Sequence, residues 1–389
     1  MIDQKQVAAR PEDAGIGSEK LEAVFARAER DVEKGLVPGA QVAVARNGMI
    51  AGMRSFGTAI QGGQQKPVTE ETLFCIFSCT KAVVAAAVWT LFEDGLLSLE
   101  ERVAEIIREF GTNGKDVITV EQLLLHTGGF PQAPFRPEYW GDRERLLDAF
   151  WGWRLNWEPG TRYEYHATSA HWVLSEIIYR RTGKDYKTYI RERITGPMGL
   201  PEIFIGVPPE HDHRYAEIRW MGEMTPPPGG WGEVTPEAIE GFNKPSTRRA
   251  GVPGGGGVTS AAELAMFYQV LLNGGQTADG TRVLKPETIE LALKVRTRPD
   301  HTDPVFGHPA NRGLSIIIAG DDGKAFMRGF GRVASPRAFG HGGAGGQIAF
   351  GDPATGISVG YCTNGFNDWM TSGRRTIAIS SLAAGCAID

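Results

Sequence analysis

Leu73-Phe74-Cys75-Ile76-Phe77-Ser78-Cys79-Thr80-Lys81-Ala82, residues 73–82, opens into a run that stays apolar nearly all round from Ser78 to Glu93 and stops at Gly95. That pattern predicts a helix buried on every side. Outward from it the pattern changes. On the N-terminal side, Ala40 to Ala45 alternate, and Arg46-Asn47-Gly48 turns the run into a second strand through Ser55. Before this hairpin, Ser18 to Lys34 reads as an amphipathic helix closed by Gly35. On the C-terminal side, Thr119 and Gln122 form a capping-box pattern ahead of Leu123-Leu124-Leu125. Residues 131–165, rich in Trp, Pro and Arg, read as irregular, and Thr168 to Arg181 as a helix stopped by Gly183. Residues 205–250, with the run PPPGGW at 226–231, predict a long surface excursion. Gly254 to Gly257 precede a helix to Leu272, with Ser260 and Glu263 as a second capping box. Leu314 to Ile318, Gln347 to Phe350 and Ile357 to Tyr361 read as strands, and Trp369 to Leu382 as a last helix.

Strands therefore lie at both ends and helices between them. The expected fold class is α+β, an α/β-type sandwich. One antiparallel sheet is built from both termini (residues 1–77 and 250–389) and flanked by helices, with a mostly helical region of long loops, residues 78–249, inserted. A cleft between two such regions is the usual place for a small-molecule site.

Composition narrows the function classes. The chain has 389 residues, 41% hydrophobic and 22% charged, which is ordinary globular usage. The net charge of -5 is spread along the chain without a basic cluster, so nucleic acid is not an expected partner. The first residues are polar, and no window approaches 18 consecutive apolar residues, so neither a signal peptide nor a membrane partner is expected, and the expected location is cytoplasmic. Cys75, Cys79, Cys362 and Cys386 lack zinc-site spacing and read as buried reduced thiols; no metal and no cofactor is expected. The sequence leaves homo-oligomerisation open.

The chemistry starts at Ser78-Cys79-Thr80-Lys81. Serine needs a base within hydrogen-bond reach to act as a nucleophile. Positions i and i+3 of a helix share a face, which brings Lys81 to the Ser78 hydroxyl. A lysine side chain, with a pKa near 10.4 in water, becomes a base only when burial or a neighbouring cation lowers it. Phe74, Ile76, Phe77, Ala82, Val83 and Val84 make apolar surroundings for that. In isolation Ser78 would read as a helix cap.

Context makes it more than that. Residues 73–82 resemble the nucleophile segment of the penicillin-binding and class C β-lactamase-like serine hydrolases. Further stretches are similar in the same order: Val37-Pro38-Gly39, Leu97 to Val103, Leu123 to Gly129, Pro159-Gly160-Thr161-Arg162 with Tyr163 and Tyr165, Gly254 to Phe267, and His341-Gly342-Gly343. The resemblance implies the β-lactamase/transpeptidase-like fold. It also implies that Tyr165, in the place of the family's Y-x-N tyrosine, shuttles protons; Tyr163 competes for that role. It makes the N–H groups of Ser78 and Ala344 the oxyanion hole, donors worth about 3–4 kcal/mol each to a transition state. His341, Gly342 and Gly343 would line the substrate site, the glycines letting substrate come close to the backbone.

Two departures bear on substrate. Ala167 stands where the Y-x-N asparagine would hold an acylamino group, and His341 where K-T-G has a permanent cation. Both favour uncharged carboxylic esters, as in the family VIII esterases that the sequence most resembles. The expected partner is thus a small-molecule ester, cleaved through an acyl-enzyme. The same machinery would serve a β-lactamase, a D-amino-acid peptidase, an amide hydrolase or an acyltransferase.

Other motifs read as structural. Gly356-Ile357-Ser358-Val359-Gly360 matches a nucleophile elbow, but its serine lies inside a strand and no helix follows. His211-Asp212-His213 reads as a solvated loop and His126 as a loop pin. The glycine run at 254 reads as a flexible turn. Trp140, Trp151, Trp153, Trp157, Trp220 and Trp231 concentrate in the inserted region, and some are expected to line an apolar acyl or alcohol pocket.

Overall fold

The computed structural model describes residues 2–226, 230–232 and 234–388. Residues 227–229 and 233, in the predicted excursion, lie outside them. The strands that position the site are β1 (Gly39–Arg46), β2 (Met49–Gln61), β3 (Gln64–Pro67), β4 (Phe74–Phe77), β5 (Gly257–Thr259), β6 (Ile317–Ile318), β7 (Phe339–Gly343), β8 (Gln347–Asp352) and β9 (Ile357–Thr363). Seven of them form one antiparallel sheet in the order β3-β2-β1-β9-β8-β7-β6. The two chain ends meet in its middle, where Val42 pairs with Tyr361 and Val44 with Val359.

Alternation along β1 decides the layers. Ala40, Val42 and Val44 face α1 (Ser18–Glu33) and the C-terminal helix, Trp369–Ala384. Ala43 and Ala45 face the helix Ala261–Leu272 and the larger core. Gln41, also on that face, is satisfied: its Nε2 donates to Thr69 O (2.7 Å) and its Oε1 accepts from Ala261 N (2.8 Å). The sheet takes no strand from residues 78–249, where the described residues are mainly helix and loop.

Predicted and observed elements differ most in four places, and β2 also runs on to Gln61, past the predicted end at Ser55. The nucleophile helix, α2, covers Thr80–Glu93, so Ser78 and Cys79 form the turn that leads into it from β4. Residues 131–165 contain a helix, α3, over Arg143–Gly152; Asp142 caps it by accepting from Arg145 N (3.1 Å), and Leu146 and Phe150, four apart, bury its inner face. The excursion holds two short helical segments, Pro236–Gly241 and Pro245–Ala250, each with proline in its first turn, and they bury Ile239, Thr247 and Ala250. The run at 314–318 is strand only at Ile317–Ile318, because Ser315 takes a φ of 57° and its N–H donates to Leu124 O. The capping box at Thr119 and Gln122 forms with both of its hydrogen bonds.

Candidate active site

β4 leads into Ser78, the candidate nucleophile. It pairs with β5, and the chain turns out of it at Phe77, whose φ is 43°. A bulky residue in that region is strained, and such strain persists only where its surroundings enforce it. Here Thr80 enforces it: its Oγ1 donates to Phe77 O (2.5 Å) and accepts from Gly257 N (2.8 Å). Lys81 N donates to Ser78 O (3.0 Å), which closes the turn and puts both side chains on one side. The Ser78 side chain is half-buried and that of Lys81 fully buried.

Lys81 Nζ lies 3.4 Å from Ser78 Oγ and donates to two carbonyl oxygens, of Ala167 (2.6 Å) and Gly254 (2.5 Å). A Cβ on Gly254 would lie 2.8 Å from Ala167 O, so only glycine lets the two carbonyls converge on the ammonium. The glycine run, expected as a flexible turn, is instead a buried wall of the site. Ala167, expected to matter for the side-chain amide it lacks, contributes its backbone oxygen.

The two candidate tyrosines are placed differently. The Tyr165 ring lies 4.9 Å from Lys81 Nζ and 6.0 Å from the His341 ring. Its hydroxyl is buried without a hydrogen bond of ordinary geometry. Burial pushes its pKa up, opposed by the Ser78 hydroxyl and by the Arg312 charge. The Tyr163 hydroxyl instead accepts from Arg312 Nε and Nη2 (3.1 and 2.7 Å).

β7 brings the third motif to the nucleophile. A Cβ on Gly343 would lie 2.4 Å from Ile76 O, so its absence lets the end of β7 press against β4, two residues before Ser78. That close approach is to the protein's own backbone, whereas a Cβ on Gly342 would meet nothing nearer than 3.7 Å. Cys79 Sγ ties the two segments together by donating to His341 O (3.0 Å). His341 is buried. Arginine only donates, so the 3.3 Å contact from Arg312 Nη1 makes His341 Nε2 the acceptor, and Nδ1–H donates to Gly342 O (2.6 Å). The imidazole is neutral, as expected from its type. The position is not without charge, however, because Arg312 supplies a cation beside it. No motif marked Arg312 in the sequence.

Three more buried histidines back the site. His126, φ 58°, accepts the His166 N–H at Nδ1 (3.2 Å), and its ring lies 4.9 Å from that of Tyr165; it pins the tyrosine segment. His166 Nδ1 donates to Glu164 O (2.7 Å) and its Nε2 accepts from Phe130 N (3.2 Å). Burial pushes His166 down to about 4 and holds His126, His171 and His341 well below their usual range, with Arg312 and Lys81 adding to the effect on those three. The sign of the pH effect follows. The unfolded chain takes up protons below about pH 6.5 that the folded chain refuses, so stability present above that pH is lost as pH falls toward 4. His166 alone accounts for about 2 kcal/mol between pH 6.5 and 5. The urea midpoint is expected to be clearly lower at pH 5 than at pH 7; equal midpoints would show that these imidazoles are hydrated.

A row of aromatic rings runs through Phe77, the residue before Ser78. Trp140, Phe242, Phe77, Phe366, Trp220 and Trp231 follow one another with ring centroids 4.5–5.9 Å apart. Phe366 packs on the turn after Ala344, where a Cβ on Gly345 would lie 2.9 Å from its ring. Of the remaining tryptophans, Trp153 is core and Trp151 is exposed.

The other motifs keep structural roles, although His211-Asp212-His213, read as a solvated loop, lies in a short 3-10 helix, Pro209–Arg214. Ser358 is fully buried in β9, its Oγ donating to Ala265 O (2.7 Å) and accepting from Gln269 Nε2 (2.9 Å). Asp212 pairs with Arg248 (2.9 Å), and among the described residues no group of three or more His, Cys, Asp or Glu could hold a metal. The four cysteines are free and buried, and burial pushes Cys75 up to about 12 and Cys386 up to about 11, far from a reactive thiolate. Among the described residues no helix is long and apolar enough to cross a membrane.

The family model described as Beta-lactamase matches residues 24–383. The chain is 28% identical to the esterase/beta-lactamase LipL of Mycobacterium tuberculosis, over 77% of this chain and 70% of that protein. The solved structure of a penicillin-binding protein homologue from Caulobacter crescentus superposes with a TM-score of 0.82 at 27% identity, covering 95% of this chain and 98% of that one. That of a family VIII carboxylesterase superposes with a TM-score of 0.76 at 27% identity, covering 94% and 98%.

Proposed function

The chain belongs to the Beta-lactamase family, as a serine hydrolase of that fold, and on this premise we propose that it is a carboxylesterase working through an acyl-enzyme on Ser78. Lys81 takes the proton from Ser78 Oγ, which attacks the ester carbonyl. The N–H groups of Ser78 and Ala344 hold the oxyanion. Tyr165 gives a proton to the leaving alkoxide, and the alcohol departs. Water then attacks the acyl-enzyme by the reverse proton path, releasing the acid and restoring Ser78.

The observation that carries the ester reading is that residue 167, in the place of the asparagine that would hold an acylamino group, brings only its backbone carbonyl to Lys81. Phe77, the residue before Ser78, packs its ring against Phe242 and Phe366, so the surroundings of the serine are apolar on that side, which suits an apolar acyl group. Ala167 offers no side-chain amide to an acylamino group. The second reading, β-lactam or amide cleavage, is favoured by one feature, the Arg312 cation beside His341. LipL bears both activities in its name. Hydrolysis of p-nitrophenyl butyrate against a chromogenic cephalosporin separates the two. The ester is expected to be preferred in kcat/KM by about 10²-fold or more. A preference for the cephalosporin would replace the ester reading with the lactam one.

A further inference from the structure

Arg312 is held on every side. It is 7% exposed. Its backbone N–H donates to Thr297 Oγ1 (3.0 Å), two guanidinium nitrogens converge on the Tyr163 hydroxyl, and a third meets His341 Nε2. Its guanidinium carbon lies 5.4 Å from the centroid of the Tyr165 ring, the same ring that Lys81 Nζ approaches at 4.9 Å. Among the described residues no carboxylate comes within ion-pair distance of it. A guanidinium buried in this way keeps its charge, and in a low dielectric its field reaches the neighbouring groups little screened.

We propose that Arg312 is the positioning residue of this site. It fixes His341 in the Nδ1–H tautomer, orients Tyr163, and supplies the fixed positive charge that K-T-G enzymes draw from lysine. That charge eases proton release from Tyr165 to the leaving group and disfavours a proton on Lys81. The proposal rests on the reading of Ser78, Lys81 and Tyr165 as the reacting groups.

The titratable and charged groups facing this cluster come from several segments. Cys79 and Lys81 face it from the nucleophile turn and helix, and His126 from the loop after Leu125. Tyr163, Tyr165, His166 and His171 belong to the tyrosine segment and the helix after it, His341 to β7, and Asp303 reaches Tyr163. Burial holds the four histidines neutral. Arg312 therefore acts on the acid limb of the rate profile through the base itself, since removing a nearby cation lets that base keep its proton to higher pH.

The test is kcat and KM for p-nitrophenyl butyrate across pH 5–10 in Arg312→Met, Arg312→Lys and Ser78→Ala. For Arg312→Met, kcat is expected to fall about 10²-fold with KM nearly unchanged, and the acid limb to move about one unit to higher pH. Arg312→Lys keeps the charge but loses the fork, so its acid limb stays in place and kcat falls less than about tenfold. A wild-type profile in Arg312→Met with an inactive Ser78→Ala overturns the proposal and leaves the ester mechanism standing. A fall in kcat without a limb shift, equal in both Arg312 variants, reduces Arg312 to packing and also overturns it. If Arg312→Met does not fold, Arg312→Lys decides: an unmoved limb supports the proposal and a shifted limb overturns it. Turnover retained in Ser78→Ala overturns this proposal and the mechanism together.

Discussion

Ser78→Ala is expected to lower p-nitrophenyl butyrate turnover by about 10³-fold or more, as for loss of a nucleophile, while leaving the melting temperature nearly unchanged. The geometry gives the reason for both halves. Ser78 sits in a turn between β4 and α2, its hydroxyl within reach of Lys81, and it is half-buried, so a substrate can approach it. No other serine can replace it through a recognisable motif. Ser358, in the nucleophile-elbow pattern, is locked in β9 with its hydroxyl bonded to Ala265 and Gln269. Stability is spared because the turn is closed by backbone bonds and by Thr80 Oγ1. Labelling by a serine-directed phosphonate, read by mass spectrometry, checks the same point: wild type is modified on the peptide containing Ser78 and the variant is not. A variant that kept its activity would make Ser78 a structural turn residue and end the acyl-enzyme reading.

Lys81→Met is expected to be almost as damaging, with turnover down by about 10³-fold and phosphonate labelling slowed to a similar extent. Lys81→Arg is expected to fail too. An arginine stays protonated throughout the working pH range, so it cannot take the serine proton. Nor does a planar fork fit a point held by two converging carbonyls, 2.6 and 2.5 Å from Nζ. The methionine variant is expected to fold but to melt somewhat lower than wild type, because the Ala167 and Gly254 carbonyls lose their buried donor while the packing is kept. Loss of about 10³-fold in activity in a variant that still folds cooperatively is therefore the result that identifies Lys81 as a catalytic base. Parallel loss of activity and of cooperative folding would mark it as structural.

Much of this protein was legible before any coordinates. The alternating run at 40–45 followed by Asn47-Gly48 is a hairpin because side chains in a strand alternate and that dipeptide tolerates positive φ, which Asn47 and Gly48 take at 54° and 74°. The apolar run after Lys81 is a buried helix, with the residues from Thr80 to Leu91 enclosed. The three-residue spacing of Ser78 and Lys81 is a local property, and it survives even though a turn rather than the helix presents Ser78. Where the reading missed, a local signal was sometimes present: Asp142 followed by Leu146 and Phe150 is a capped helix inside a stretch that its prolines and tryptophans made look irregular.

What the sequence determined, then, is what neighbours along the chain determine: periodicity, caps, turns, and the placing of Ser78 and Lys81 side by side. What only the tertiary structure decided is convergence. The Ala167 and Gly254 carbonyls meet on Lys81 from segments 86 and 173 residues away. Arg312 takes the Tyr163 hydroxyl from 149 residues away, while the Tyr165 ring faces Lys81. The cation that the third motif lacks returns through the same arginine. An isolated arginine has no periodicity or motif to announce it, and a carbonyl oxygen has no side-chain identity at all. Their roles arise when the sheet brings the two chain ends together and glycines at 254 and 343, lacking a Cβ, let backbones approach to distances that no other residue permits.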